Sequence, residues 1–146
     1  VERRSAPILS DKAGVAAVEF AMVLPILCLV LLGILDGWSY VTSSLSMRAG
    51  VKTAANLVMG GSTNDTATKA VAIASWENRP EDGQVTLSRT YMCGTTVVDA
   101  ATLCSGPKAP SVYVQIQASA TWVPPIAFGA FAASTTIGHQ EMIRVR

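Results

Sequence analysis

The stretch DKAGVAAVEFAMVLPILCLVLLGILDGW, Asp11 to Trp38, contains 21 consecutive residues, Val15 to Leu35, with a single charge at Glu19. At 1.5 Å rise per residue, such a run matches the ~30 Å hydrocarbon layer of a bilayer. It predicts a transmembrane helix. Each Val, Leu, Ile or Phe in it favours insertion by roughly 0.3–0.6 kcal/mol, against about 3 kcal/mol for one central charge, so insertion wins even with Glu19 ionised. Pro25 removes a helical donor and leaves the Ala21 carbonyl unpaired, which predicts a local kink of a kind that membrane helices tolerate. A carboxylate in this run still needs a partner.

The 146 residues make one domain's length of chain, with 11 Lys and Arg against 10 Asp and Glu. The cations outside the N-terminus are scattered and not interleaved with aromatics, so no nucleic-acid partner is expected. Arg3, Arg4 and Lys12 precede the apolar run, whereas Arg48 and Lys52 are the nearest cations beyond it; by the positive-inside rule the N-terminus is cytoplasmic and the larger C-terminal part faces the periplasm. The run is too long for a secretory signal peptide, and LGILDGWS is a poor cleavage site.

Beyond Leu35, the residues Val41, Leu45, Ala49, Ala55 and Val58 or Met59 recur at helical spacing, and Gly60-Gly61 supplies a stop. One helix from Val15 to Met59 is expected, with weak points at Gly33, Gly37 and Gly50. The Gly33-to-Gly37 spacing matches a helix-dimerisation motif, but two residues at the membrane edge make a weak signal, and no dimer face is expected from it. Trp38 and Tyr40 follow the run where amphipathic rings prefer the headgroup region. A second helix is predicted in STNDTATKAVAIASWEN, with Ser62 and Asp65 at capping-box spacing, a stripe of Ala67, Ala70, Val71 and Ala74, and an end before Arg79-Pro80. Val85, Leu87 and Tyr91 alternate in one strand; Val112, Val114, Ile116, Ala118, Ala120 and Trp122 alternate in a stronger one that Pro124-Pro125 must end. A last strand turns Ile143 and Val145 inward and Arg144 and Arg146 to water. The expected fold class is α+β: a long N-terminal helix, then a second helix packed on a small antiparallel sheet.

Cys93 and Cys104 flank a turn-rich segment and predict a disulfide worth roughly 2–3 kcal/mol in the chain-entropy model. Cys28, alone in the apolar run, reads as a small apolar filler. His139 is the sole histidine and shares no motif with a Cys or carboxylate, Ser43, Ser44 and Ser46 form no nucleophile elbow, and no phosphate-cradling glycine loop is present. The reading is therefore not of an enzyme, and no metal or cofactor is expected. The apolar loop PPIAFGAFAA, Pro124 to Ala133, reads either as core or as a subunit contact.

Gly14, four apolar residues VAAV, Glu19 and Phe20 together resemble the processing pattern of type IV pilins. The resemblance implies cleavage after Gly14 by a prepilin peptidase, which frees an ammonium at Val15 with Glu19 one turn away as residue five of the mature chain. It also implies an ion pair between Glu19 and the N-terminal amine of a neighbouring subunit, a device for axial register more than for net stability. More closely, GVAAVEFAMVLPILCLVLLGILDGW resembles the N-terminus of TadE-like proteins, minor pilin-like subunits of the tight-adherence (Flp) pilus, and VPPIAFGAFAASTTIGHQEMIRVR resembles their C-terminal end.

The expected organisation is a cytoplasmic leader over residues 1–14, a transmembrane helix over 15–35, its periplasmic continuation over 36–61 and a periplasmic α+β domain over 62–146. The implied function is that of a minor pilin or pseudopilin in the bacterial inner membrane, or carried into the extracellular pilus, serving pilus assembly and adhesion. The partners so implied are other pilin and pilin-like subunits, the peptidase, the inner-membrane assembly platform and the lipid bilayer. The alternative is an unprocessed single-span membrane protein with a periplasmic ligand- or partner-binding domain; a secretion-system pseudopilin is a rival within the superfamily.

Overall fold

The computed structural model describes residues 12–145, so the expected leader lies outside the described residues as far as Asp11, as does Arg146 at the other end. Helix α1 (Lys12–Met59) runs unbroken through Pro25, Gly33, Gly37 and Gly50, and its 48 residues make a rod of about 72 Å. It stops where Gly60-Gly61 predicts. The Gly60 N–H donates to Asn56 O at 2.9 Å and the Gly61 N–H to Val58 O at 3.0 Å. Gly61, at φ +94°, turns the chain left-handed so that Ser62 N–H can reach Leu57 O.

From Gly14 to Leu31 every residue of α1 is exposed, including Phe20, Leu24 and Val30. A helix that is apolar all round and packs on nothing in its own chain fits a single-pass membrane protein. Farther along, α1 buries Met47, Gly50, Val51, Ala54, Ala55 and Val58. This corrects the expected stripe: Val41, Leu45 and Ala49 are exposed, and only its Ala55 and Val58 face inward. Apolar residues occupy both sides of this part of the helix, and the sheet covers the side of Met47 and Val51, in line with Asp36 and Tyr40. Val41 and Leu45 continue the open side of the span.

Helix α2 (Asp65–Ala74) is capped by Asn64, whose side-chain oxygen accepts the Ala67 N–H at 3.0 Å. The expected Ser62–Asp65 capping box does not form. Asp65 is the first helical residue, and its carboxylate takes Arg89 Nε at 2.8 Å and Nη2 at 2.6 Å, while Nη2 also donates to Ser62 O. The hydrogen bonds to Asp65 hold the Arg89 guanidinium above its ordinary pKa. The expected stripe of α2 is also corrected: Ala67, Ala70, Val71 and Ala74 are exposed, and Thr68 and Ala72 are buried. Trp76, just past the helix, is 3% exposed, and burying so large a ring selects the i−4 and i−8 positions as the inner face. Gly50 makes the close helix approach possible, because a Cβ there would lie 2.7 Å from Ala72 O and 3.2 Å from Trp76 Cβ.

Four antiparallel strands, β1 (Gln84–Cys93), β2 (Thr96–Val98), β3 (Ser111–Trp122) and β4 (Thr135–Val145), form a sheet in the order β2-β1-β3-β4. Strand β3 buries Val114, Ile116, Ala118, Ala120 and Trp122 on its α1-facing side, as its alternation predicts. Val85, Leu87 and Tyr91 are half-buried along β1. In β4, Ile143 and Val145 turn inward with Ile137, Arg144 is exposed, and His139 is half-buried on the inner side. The three-residue strand β2 carried no strand signal of its own. Cys93 and Cys104 form the expected disulfide, with Cα atoms 5.4 Å apart.

The end of β3 is held to the segment before β1 by Asp82, whose Oδ2 accepts the Thr121 N–H at 2.8 Å. Hydrogen bonds from Thr121, side chain first and then backbone, lower the Asp82 pKa from its ordinary 3.8. A depressed carboxyl contributes stability above its unfolded pKa and loses it as pH falls through the folded one. The thermal midpoint is therefore expected to fall below about pH 3.8, and Asp82→Asn to show a smaller acid-induced drop than the parent when both are melted across pH 2–6.

Candidate functional site

Gly14, Val15, Glu19 and Phe20 lie on the first described turns of α1, and all four are exposed. A methyl group at Gly14 would meet no atom within 4 Å. Val15 and Glu19, four residues apart, share one helix face. Glu19 has no ion-pair partner among the described residues, where the ion pair formed is Arg89 with Asp65. The fold thus gathers these four residues on one open helix end and places the Cys93–Cys104 bridge on the hairpin between β1 and β3. Cys28 is exposed on the span.

A second constellation sits at the end of the span, built around Asp36. This carboxylate is fully buried, and it accepts the Ile126 N–H at 2.9 Å and the Phe128 N–H at 3.0 Å. The chain is shaped for that contact. Pro124-Pro125 end β3, and Ala127 (φ 58°) and Gly129 (φ 61°) both adopt the left-handed region. For Ala127 this costs roughly 1–2 kcal/mol, which the two hydrogen bonds to Asp36 help to offset. The loop continues into a short 3₁₀ turn, Gly129–Phe131, whose Phe131 ring joins Tyr40 and Trp122 at centroid distances of 6.4 and 5.8 Å. Tyr40 meets Trp122 edge-on at 5.2 Å. Trp122 Nε1 donates to Ser39 Oγ at 3.3 Å.

These contacts correct one expectation and bear on one weak motif. Tyr40 is half-buried in the aromatic cluster, while Trp38 alone of the pair is outward, at 69% exposure. Gly37 faces the Phe131 ring, 3.6 Å from where a Cβ would stand, so half of the weak Gly33-to-Gly37 motif is covered by the chain's own loop. The Asp36 clamp was missed by sequence reasoning because its partners lie some ninety residues away. The available signal was the long charge-free stretch from Ala109 to Gly138, set against a lone carboxylate at the end of the span.

Beside this junction a cavity of about 460 Å³ is lined by Ser39, Ser43, Ser46, Glu77, Asn78 and Trp122, among others. Its hydroxyls are largely engaged in holding elements together: Ser39 accepts from Trp122, and Ser46 Oγ donates to Glu77 O. Among the described residues, no cluster of three or more His, Cys, Asp or Glu side chains is placed to hold a metal ion.

No curated protein and no solved structure matches the chain. The family model described as TadE-like protein matches residues 14–56, the segment that carries the span, Asp36 and much of the core-facing part of α1.

Proposed function

We propose that this chain is a minor pilin or pseudopilin subunit of a tight-adherence pilus, a structural component and not an enzyme. It is inserted in the bacterial inner membrane with its N-terminus cytoplasmic and its α+β domain periplasmic, cut after Gly14 by a prepilin peptidase, and used with other pilin-like subunits and the membrane assembly platform in pilus assembly and adhesion. The observation that supports this reading is Glu19, exposed on a helix surface that is otherwise apolar, one turn from Val15 and inside the TadE-like segment. Within lipid a carboxylate so placed calls for a cationic partner. A free Val15 ammonium on a neighbouring subunit supplies one once the Gly14–Val15 bond is cut.

The test is the mature N-terminus. Mass spectrometry of the membrane protein is expected to find Val15 first in the parent and the bond intact in Gly14→Val. Because a side chain at Gly14 meets nothing within 4 Å, the variant is expected to fold and insert normally, so its failure isolates processing. An intact bond in the parent itself, in cells with an active peptidase, points instead to the unprocessed single-span protein.

A further inference from the structure

The loop Val123–Ala133 presents an apolar, largely exposed surface beside the end of the span. It contains no charged residue and lies within a charge-free stretch that runs from Ala109 to Gly138 and includes β3. Most of it is exposed, with Val123 at 68% and Ile126 at 38%, and Pro125, Ala127, Ala130, Ala132 and Ala133 open as well. Its height is fixed by Asp36, the residue that immediately follows the apolar run. Side chains on a helix lean toward its N-terminus, so the Asp36 carboxylate reaches back toward the span and draws Ile126 and Phe128 with it. One turn below Asp36, Leu32 and Gly33 are the only residues from Gly14 to Leu35 that are not fully open. Trp38, at the same height, is exposed.

From this placement we infer that the Val123–Ala133 loop is a second membrane contact, lying in the interfacial layer of the bilayer beside the end of the span and held there by Asp36. The inference rests on the reading of Val15–Leu35 as a membrane span, with which the loop is continuous. Amphipathic helices in this layer sink about 5–10 Å into the boundary between headgroups and acyl chains, and an apolar loop tethered at the end of the span is expected at a comparable depth. Lacking charged groups, the loop loses no ion hydration on entry, and the buried carboxylate already satisfies two of its backbone donors where lipid would not. The contact would fix the tilt and rotation of the domain over the membrane, which a single helical anchor leaves free.

The test is a depth measurement on the full chain in phosphatidylcholine–phosphatidylglycerol vesicles, in a Cys28→Ser background with the Cys93–Cys104 bridge intact. A fluorescent probe is attached at Ala130→Cys, at Leu103→Cys on the exposed hairpin, and at Val23→Cys within the span. The Ala130 probe is expected to be quenched by shallow spin-labelled lipids and to be several-fold less sensitive to iodide than the Leu103 probe. Adding Asp36→Ala is expected to shift it toward the Leu103 behaviour while the Val23 probe stays in lipid. Equal iodide sensitivity at Ala130 and Leu103, with Val23 still quenched by lipid, overturns the loop's placement and leaves the span intact. Shielding of Ala130 from both quenchers puts protein over the loop and overturns the lipid contact. An Ala130 probe that stays in lipid after Asp36→Ala refutes the role of Asp36 in holding it there. Iodide access at Val23 removes the span reading itself.

Discussion

Cells carrying Glu19→Ala are expected to hold normal amounts of the protein in the membrane, cut after Gly14, and yet to lose most surface pilin and attachment. Removing the carboxylate lowers the cost of placing the helix in lipid, so insertion is kept or improved. The peptide bond after Gly14 is untouched, and Glu19 makes no ion pair among the described residues whose loss would disturb the fold. Under the proposed function, what changes is the fate of the Val15 ammonium of a neighbouring subunit, which would then enter an apolar helix bundle alone. Breaking a buried pair by deleting one partner costs about 3–5 kcal/mol, on the order of a hundredfold or more in subunit affinity. Shear-released pilin and adherent cells, measured with the membrane level and mature N-terminus, test this. Normal piliation at normal protein level removes the ion pair from the proposed function.

The second large effect is expected at Gly50. Changing glycine to alanine within a helix ordinarily gains about 1 kcal/mol. Here the added Cβ would stand 2.7 Å from the backbone oxygen of Ala72, which cannot rotate away, and 3.2 Å from Trp76 Cβ. Overpacking of this kind costs about 1–3 kcal/mol, so Gly50→Ala is expected to destabilise the domain despite its better helix propensity, and Gly50→Val to do so more strongly. Urea unfolding of the detergent-solubilised protein, followed by tryptophan fluorescence, gives the measurement. Gly33→Ala, where a Cβ meets nothing within 4 Å, is the contrast and is expected to unfold at the same midpoint or later. Equal effects at the two positions would mean that α1 and α2 do not touch as described.

The two sites differ in how far the sequence alone exposes them. Glu19 is legible because its environment is local: one charge in an apolar run, with Gly14 and Phe20 at fixed offsets. The same holds for β3, where alternation from Val112 to Trp122 is uninterrupted and matches the buried side of the strand. Past Leu35, α1 is harder to read, because Val41 and Leu45 are as apolar as Met47 and Val51. Periodicity then offers two candidate faces, and only the position of the sheet decides between them. In α2 the apolar count pointed to the alanine stripe, whereas Trp76, just beyond the helix, fixed the buried side. Asp65 had the offset of a capping residue but is taken by Arg89 from another element. Asp36 belongs with these nonlocal cases, since its meaning depends on a loop almost at the other end of the chain.

The continuity of α1 also governs how the protein carries load. The helix that forms the span is the helix that supplies Met47, Val51, Ala54, Ala55 and Val58 to the core, with no linker between Lys12 and Met59 to extend under tension. A pull along the span therefore reaches the sheet as shear across the whole α1 contact, where many side chains must slip together, instead of peeling the domain open one residue at a time. The Asp36 clamp lies nearest the point of pull and takes the strain first. A chain built this way transmits displacement of the apolar end of α1 to its α+β domain without slack.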